Sequence, residues 1–182
     1  MKPVVFFDCM PSPLGEMMLA SDGDALSGAW FERQRYQPAV GPAWRRRSDL
    51  PVLRRAAVEL AAYFAGERLA FDLPLAPAGT PFQRDVWQAI ANVTYGATIA
   101  YRELAARAGR PASVRAAGAA TGRNPISIII PCHRIVGADG ALTGYAGGLA
   151  RKRALLALEH AAIVTDSLSR VPQTAIFANA SI

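Results

Sequence analysis

Residues 73–87 read LPLAPAGTPFQRDVW, and they divide the chain into two halves of different character. The first seven of them include two prolines and a glycine and show no hydrophobic period, which is typical of a linker. Thr80 then suits a helix N-cap, Pro81 the first helical position, and Gln83 the third residue past the cap, a pattern called a capping box. A helical domain is therefore expected to begin here. The expected division is residues 1–76, residues 77–160 and a tail over residues 161–182.

Short apolar runs separated by turn residues fill the first thirty positions of the N-terminal half. The runs lie at residues 4–10, 16–20 and 25–31, with proline, glycine, serine and aspartate between them. Apolar segments of this length, separated by such residues, are typical of neighbouring strands. The pattern predicts two hairpins and hence a small antiparallel sheet.

A loop and then a helix are expected after these strands. Residues 32–49 have little periodicity, so we expect a loop there, with the three arginines at 45–47 on a solvated surface. From Val52 to Phe64 the apolar positions follow helical spacing, and Gly66 suits the position just past a helix end. We expect this helix to cover one face of the sheet.

The helical half contains a candidate helix-turn-helix. A second helix is predicted from a Thr98 N-cap to Gly109, and a third over residues 112–121. Two helices joined by a short turn that contains glycine are typical of this motif. The third helix is covered by small residues apart from one large cation, Arg115. Small side chains allow a close partner, either another helix or a nucleic-acid groove, and periodicity favours neither.

The excess positive charge lies in the helical half. Residues 80–160 hold ten Lys and Arg against four Asp and Glu, whereas residues 1–79 hold nine of each. A polyanion-binding surface needs such a concentration, because each neutralised phosphate releases a counterion. Charge that only keeps an arginine-rich protein in solution gives the same pattern, so both interpretations stay open.

Length and composition exclude several classes of protein. With 182 residues, 52% of them apolar, the chain can bury a real core as one domain or two small ones, which excludes disordered and fibrous proteins. No apolar run approaches the roughly 18 residues that span a bilayer, so we expect a soluble, cytoplasmic protein with no membrane partner. Cys9 and Cys132 have no spacing partners, so neither a disulfide framework nor a cysteine-rich zinc site is expected.

One short segment brings together groups that could react. Residues 126–130 are apolar except for one serine and are bounded by prolines, which predicts a buried extended segment leading to Cys132, His133 and Arg134. A reactive thiol needs a neighbouring base and cations, because the thiolate is the nucleophile. In an extended chain Cys132 and His133 would point to opposite faces, so their contact requires a bend or a bridging water. A buried, inert cysteine is the other interpretation.

Residues 124–159, NPISIIIPCHRIVGADGALTGYAGGLARKRALLALE, closely resemble the active-site region of the O6-alkylguanine-DNA alkyltransferases, or methylated-DNA-protein-cysteine methyltransferases, of the bacterial single-protein type. PCHR is the signature of that family. The resemblance extends upstream through FQRDVWQAI, YGATIAYRELA and the helix with Arg115, over roughly residues 80–160. It implies an α+β fold, in which a small N-terminal antiparallel-sheet domain of ribonuclease H-like type precedes a mainly helical, winged-helix-like DNA-binding domain.

The resemblance assigns a chemical role to five residues. Cys132 would accept the alkyl group from guanine O6 and keep it. His133 would act as base through a bridging water, and Glu159 would orient that histidine, in the manner of a hydrolase triad. Asn124 would brace the turn that leads to the cysteine. Tyr101 would donate a proton or hydrogen bond to guanine N3 and help to rotate the phosphate.

Other residues would bind the DNA and the extruded base. Arg115 would fill the gap left by the flipped nucleotide, with its helix in the minor groove. Tyr145 would stack beside the base and the Ala146 amide would face O6, in a loop that includes Gly147. The carbonyl groups of Cys132 and Ile135 would read the guanine amino group. The remaining residues assigned to the DNA surface are Ser113, Ala116, Ala117, Gly118 and Arg123.

The implied function is DNA repair by direct reversal, in one irreversible transfer per protein molecule. The partner would be double-stranded DNA that contains O6-alkylguanine, with O4-alkylthymine left open as a second substrate. No cofactor, no metal and no obligate protein partner are expected, and the protein is expected to be a monomer. Three alternative functions remain: a damage sensor that lacks the acceptor cysteine, a helix-turn-helix regulator, and a cysteine hydrolase. Cys132 argues against the first, Cys132 with His133 and Glu159 against the second, and Arg115 against the third.

Overall fold

The structure, a computed structural model, describes the backbone of residues 4–165 and the side chains of residues 4–160. Its N-terminal half contains a four-stranded sheet in the order β3-β2-β1-β4. The strands are β1 Val5–Met10, β2 Met17–Ser21, β3 Leu26–Phe31 and β4 Trp44–Arg46. The first three pair antiparallel, so the two predicted hairpins are confirmed.

The fourth strand corrects the loop expected over residues 32–49. Trp44–Arg46 runs parallel to β1 and makes the sheet mixed. The Trp44 ring packs edge-on against Phe7, with 5.7 Å between ring centroids, and Arg46 pairs with Asp8 on β1 at 2.8 Å. Three residues are too few to show a period of two, so a sequence pattern could not reveal this strand.

One helix covers the sheet, and the predicted linker packs beside it. Helix α1, Pro51–Phe64, packs on the same core as the sheet, and Gly66 follows it at φ +76°, as predicted. The linker interpretation of residues 73–79 is wrong in one respect. Leu75 is 1% exposed and pairs with Leu26 of β3, so the segment belongs to the folded core.

The described part of the C-terminal half contains four α-helices: α2 Pro81–Ala91, α3 Tyr101–Arg107, α4 Val114–Gly122 and α5 Leu149–Thr165. The predicted capping box of α2 is present in full. The Thr98 cap is wrong. Ala100 caps α3, because Ile99–Ala100 forms strand β5, which pairs with β6, Ile135–Val136. Helices α3 and α4 form the predicted helix-turn-helix pair.

The main hydrophobic core, which is separate from a smaller cluster in the sheet, runs through both halves of the described chain. It contains Leu60 of α1, Phe31 of the sheet, Trp87 of α2 and Leu155 of α5, each at most 1% exposed. No helix of the described residues is long and apolar enough to cross a membrane. Of the tail, residues 161–165 continue α5, and residues 166–182 lie outside the described part.

Candidate active site

A tight turn leads to Cys132, so the extended conformation expected over residues 126–130 is wrong, although the segment is buried as expected. Ile128 has φ +73°, and the Ile130 amide donates to the Ile126 carbonyl at 3.0 Å. A short 3-10 helix, Cys132–Arg134, follows at once. A β-branched residue in the left-handed region costs about 1–3 kcal/mol, so surrounding contacts must hold this turn. The bend also removes the alternation that would have separated Cys132 from His133.

Asn124 supplies those contacts. Its Oδ1 accepts from the Ile126 amide at 3.0 Å, and its Nδ2 donates to the Ile130 carbonyl at 2.8 Å. The same Nδ2 lies 3.1 Å from the Cys132 sulfur. Asn124 is 4% exposed, so each of these bonds forms away from bulk water. One amide therefore joins both ends of the turn to the thiol that the turn presents.

The thiol is protonated in the resting protein. Cys132 is 3% exposed, and burial raises its pKa to about 11, against the opposing effects of the Asn124 hydrogen bond and the Lys152 charge. At neutral pH the thiolate is then a fraction on the order of 10⁻⁴. Nucleophilic attack requires that a base remove the proton as the reaction proceeds.

His133 has the geometry of such a base. Its Nε2 lies 2.7 Å from Oε1 of Glu159, and both side chains are 0% exposed. Burial alone would raise the pKa of Glu159. The charges and hydrogen bonds of His133 and Arg134 outweigh burial and hold that pKa well below its usual value. The ionised carboxylate can only accept, so Nε2 carries the proton. Burial lowers the pKa of His133 despite Glu159, which leaves Nδ1 as a free basic nitrogen near neutral pH.

A cavity of about 400 Å³ is lined by two tyrosines, Tyr101 and Tyr145, that interact electrostatically with the Cys132 sulfur. Burial raises the pKa of Tyr101 and Tyr145, and the Cys132 sulfur raises both further. The volume suits a small planar ligand such as a nucleobase. The lining residues are Arg35, Tyr36, Tyr101, Gly118, Ala119, Gly122, Gly144, Tyr145 and Ala146.

The loop that forms one wall of the cavity depends on glycine at two points. A Cβ on Gly147 would lie 2.7 Å from the Tyr145 ring, so only glycine lets that ring occupy its position. Gly144 has φ +51°, and a Cβ there would meet the Tyr101 hydroxyl at 3.2 Å. The Ala146 carbonyl accepts from the Arg35 amide at 3.0 Å, which joins this loop to the N-terminal half.

The chain matches family models over nearly all of the part described. Residues 5–77 match the ribonuclease-like domain of 6-O-methylguanine DNA methyltransferase, and residues 81–161 match the DNA binding domain of the same family. The chain belongs to the 6-O-methylguanine DNA methyltransferase family. The resemblance inferred from the sequence is thereby confirmed, as is the α+β fold with a sheet domain before a helical DNA-binding domain.

Similar proteins span nearly the same length. A methylated-DNA–protein-cysteine methyltransferase of Haemophilus influenzae is 46% identical over 156 residues, which cover 85% of this chain and 86% of that protein. The crystal structure of the Mycobacterium tuberculosis O6-methylguanine methyltransferase has a TM-score of 0.80 and 43% identity, covering 90% of this chain and 98% of that one. The M. tuberculosis OGT in complex with DNA has a TM-score of 0.79 and 43% identity, with 86% and 94% covered.

In this methyltransferase fold Glu159 has partners that sequence patterns did not indicate. Tyr63 of α1 donates its hydroxyl to Oε1 at 2.8 Å, and the Gly96 amide donates to Oε2 at 3.1 Å. Arg134, 0% exposed, donates Nη2 to Oε1 at 3.0 Å and Nε to Oε2 at 3.0 Å. Arg134 is part of the PCHR motif, but only the fold reveals that its guanidinium binds the Glu159 carboxylate. Nothing in the sequence links Tyr63, 96 positions away, to Glu159.

Lys152 is a second residue that the sequence did not single out. It is 0% exposed, and its ammonium donates to the carbonyl oxygens of Ile135 and Thr143, at 2.5 and 2.6 Å. Burial lowers its pKa. Lys152 thus joins the start of α5 to the segment between β6 and the cavity. The Ile135 carbonyl, expected to read the guanine amino group, already accepts one hydrogen bond from it.

The exposed face of α4 keeps most of the residues assigned to DNA. Arg115 and Ala116 are exposed, and Gly118 is half-buried against Tyr101. Ala117 is a correction, because it is 0% exposed and its side chain packs into the core instead of facing a groove. Ser113 is half-buried as the N-cap of α4, and Arg123 is exposed at its C-cap.

A hydrogen bond from the buried side of the molecule holds α4 in position. Trp87 of α2, 1% exposed, donates its indole N–H to the Ala120 carbonyl at 2.9 Å.

Within residues 4–160, no group of three or more His, Cys, Asp and Glu is placed to hold a metal ion.

Proposed function

We propose that this protein repairs O6-alkylguanine in double-stranded DNA by moving the alkyl group to its own Cys132 sulfur. The observations that carry the proposal are the buried thiol of Cys132, which directly precedes a buried His133–Glu159 pair in the chain, and a cavity of about 400 Å³ lined by Tyr101 and Tyr145. Membership of the methyltransferase family, together with a similar protein solved in complex with DNA, supports the same conclusion.

The transfer is a displacement at the alkyl carbon. The bond from sulfur to carbon forms while the bond from carbon to O6 breaks, and the electron pair of that bond stays on guanine. His133 takes the thiol proton at Nδ1 through a bridging water, and Glu159 stabilises the resulting imidazolium. Tyr101 donates toward guanine N3 and helps to neutralise the leaving base. The product thioether is a poor leaving group, so each molecule reacts once.

The lesion must leave the duplex to reach the cavity, because a stacked guanine cannot present O6 to a buried sulfur. Flipping costs a few kcal/mol of stacking and pairing. Arg115 offsets part of that cost by filling the gap from α4, which lies in the minor groove with Ala116 and Gly118 near the backbone. Tyr145 then stacks beside the base and the Ala146 amide faces O6.

The same proposal covers the oligomeric state, the cellular compartment and the two domains of the protein. The protein acts as a monomer in the cytoplasm, with no cofactor and no obligate protein partner. Its sheet domain covers residues 1–76 and its alkyltransferase domain residues 77–160. Because Tyr63 and Arg35 join the two, both domains are needed for full activity.

Mass spectrometry tests the acceptor directly. The protein is incubated with duplex DNA that contains one O6-methylguanine, and the intact mass and peptides are measured. One added methyl on the peptide with Cys132 is expected. Cys9→Ser serves as the matched control and should still gain the methyl, whereas Cys132→Ser should not.

Other outcomes identify the alternatives. No added mass with selective binding to the lesion retained would make the protein a damage sensor whose cysteine is not activated. Release of more than one equivalent of product would make it a true turnover enzyme, contrary to the single transfer proposed.

A further inference from the structure

One aromatic ring in the lining of the cavity is contacted by two guanidinium groups. The Tyr36 ring has the Arg35 Cζ at 4.8 Å from its centroid and the Arg123 Cζ at 4.7 Å. Arg35 and Tyr36 come from the loop after β3, whereas Arg123 caps α4. Tyr36 is 46% exposed, and both arginines are exposed. Two like charges from the two halves of the molecule thus converge on one ring.

Neither charge is neutralised by a carboxylate in the described part of the chain. Across the side chains described, no ion pair involves Arg35 or Arg123, whereas Arg46, Arg47 and Arg107 each pair with a carboxylate. Cation–π attraction holds the guanidinium groups near the ring while they repel each other. An anion placed beside both would remove that repulsion and accept hydrogen bonds from two planar donors.

The loop that carries the ring is held firmly. Gln34 is 5% exposed, and its Oε1 accepts from the Phe31 amide at 3.2 Å and from the Ser127 hydroxyl at 3.0 Å. The Arg35 amide donates to the Ala146 carbonyl of the cavity loop. Tyr36 has φ +67°, a strained conformation for a tyrosine that persists only where its surroundings impose it. The site is therefore formed before any ligand arrives.

Its position identifies the anion. Arg35 and Tyr36 line the cavity together with Gly118 and Gly122 of α4. A flipped base remains bonded to its sugar, so the phosphates next to it must lie at the rim of the pocket that holds it. We propose that Arg35, Tyr36 and Arg123 bind a phosphate of the DNA backbone beside the flipped nucleotide. The N-terminal domain thereby contacts DNA directly. The identity of the anion rests on the proposed function.

The test compares two charge-removing variants of the full chain. Arg35→Gln removes one guanidinium but keeps the backbone bond to Ala146. Arg45→Gln removes an exposed arginine that does not line the cavity. Both are made in a Cys132→Ser background, so that a duplex with one O6-methylguanine stays intact, and affinity is measured from 50 to 200 mM salt. The melting temperature confirms that each variant is folded.

One phosphate contact has a quantitative signature. For Arg35→Gln the slope of log affinity against log salt should fall in magnitude by about 0.9, so the loss of affinity is about 3.5-fold larger at 50 mM than at 200 mM salt. Arg45→Gln should keep the slope of the parent protein. With Cys132 restored, Arg35→Gln should slow transfer from duplex DNA more than transfer from a free O6-alkylguanine base, which has no phosphate.

Three results would overturn the site. They are an unchanged slope in Arg35→Gln, an equal change of slope in Arg45→Gln, and an equal slowing on duplex and free base, which would place the effect inside the pocket. Failure of the proposed function is distinguishable, because it would be the absence of methyl transfer to wild-type Cys132 whatever the slopes are.

Discussion

The charged groups inside this protein and those at the rim of its cavity are arranged in opposite ways. Inside, His133, Arg134 and Glu159 are all 0% exposed, and the carboxylate accepts from both of the others. At the rim, Arg35 lines the cavity and Arg115 lies on α4, a helix that also contributes to the lining; both arginines are exposed and have no ion pair among the described residues. The interior charges are thus paired with one another near the proposed acceptor thiol, whereas the charges at the rim are available to a polyanion. Interior substitutions should change stability and chemistry together, whereas rim substitutions should change only the use of duplex DNA.

Glu159→Gln is expected to have the largest effect. It leaves the Arg134 guanidinium buried without a countercharge, which typically costs about 3–5 kcal/mol. It also removes the anion that stabilises protonated His133, so methyl transfer should slow by about 10³-fold or more, as when a triad carboxylate is lost. Denaturant unfolding and single-turnover transfer per folded molecule measure the two effects.

The exposed Glu67 offers a matched control, since Glu67→Gln makes the same chemical change at the surface. It should alter the free energy of unfolding by less than about 0.5 kcal/mol and leave transfer intact. Equal effects of the two substitutions would contradict the division between interior and rim.

Arg115→Ala should have the next largest effect, confined to duplex substrates. If Arg115 offsets flipping, transfer from a paired O6-methylguanine should slow by about 10²-fold, which corresponds to a few kcal/mol. Transfer from the same lesion in a single strand should slow much less, because no pairing is lost there.

Arg115→Lys separates the two possible origins of that effect. Lysine keeps the charge but not the planar bulk that fills the gap. Recovery of wild-type rates by lysine would show that phosphate attraction, and not filling of the gap, is what Arg115 contributes.

The difference between interior and rim also explains what sequence patterns could predict. The capping box at Thr80, the hairpins and the α1 helix follow local rules, and each was predicted correctly. The PCHR motif identified Cys132 and His133 because they are adjacent in the chain. Tyr63, Lys152 and Arg35 escaped detection.

These three residues escaped because each acts through a partner that only the fold brings close. Tyr63 reaches Glu159 across 96 positions, and the Arg35 amide reaches Ala146 across the two domains. The turn at Ile128 was missed for a related reason. A β-branched run predicts an extended segment, whereas the hydrogen bonds of Asn124 help to hold the left-handed residue in a turn.

The pH dependence of stability should identify His133 as the main titrating group of the interior. Burial lowers its pKa below the ordinary value of 6.5, so the unfolded chain binds a proton that the folded protein does not. The contribution of neutral His133 to the free energy of unfolding is therefore fully present above pH 6.5 and is lost as the pH falls. Lowering the pH from 7 to 5 should reduce the free energy of unfolding by up to about 2 kcal/mol.

The second histidine provides the comparison for this titration. His160 is exposed, so His160→Gln makes the same chemical change at the surface, whereas His133→Gln should diminish the loss of stability between pH 7 and pH 5. Denaturant unfolding at a series of pH values measures both. An identical loss in the two variants would place the titrating group elsewhere.

Two buried tyrosines allow the finest test, because both can be converted to phenylalanine. Tyr63→Phe removes a hydroxyl that donates to Glu159 and should cost about 1.5 kcal/mol, the low end for a bond to a charged acceptor. The carboxylate keeps its bonds to His133 and Arg134, so transfer should slow by less than about tenfold. Tyr95→Phe removes a buried hydroxyl that has no hydrogen-bond partner in the described part of the chain, and it should be neutral or slightly stabilising. Thermal unfolding of the two variants compares them directly. A larger cost for Tyr95→Phe would contradict this expectation, because both substitutions keep the ring and only the Tyr63 hydroxyl has a hydrogen-bond partner among the described residues.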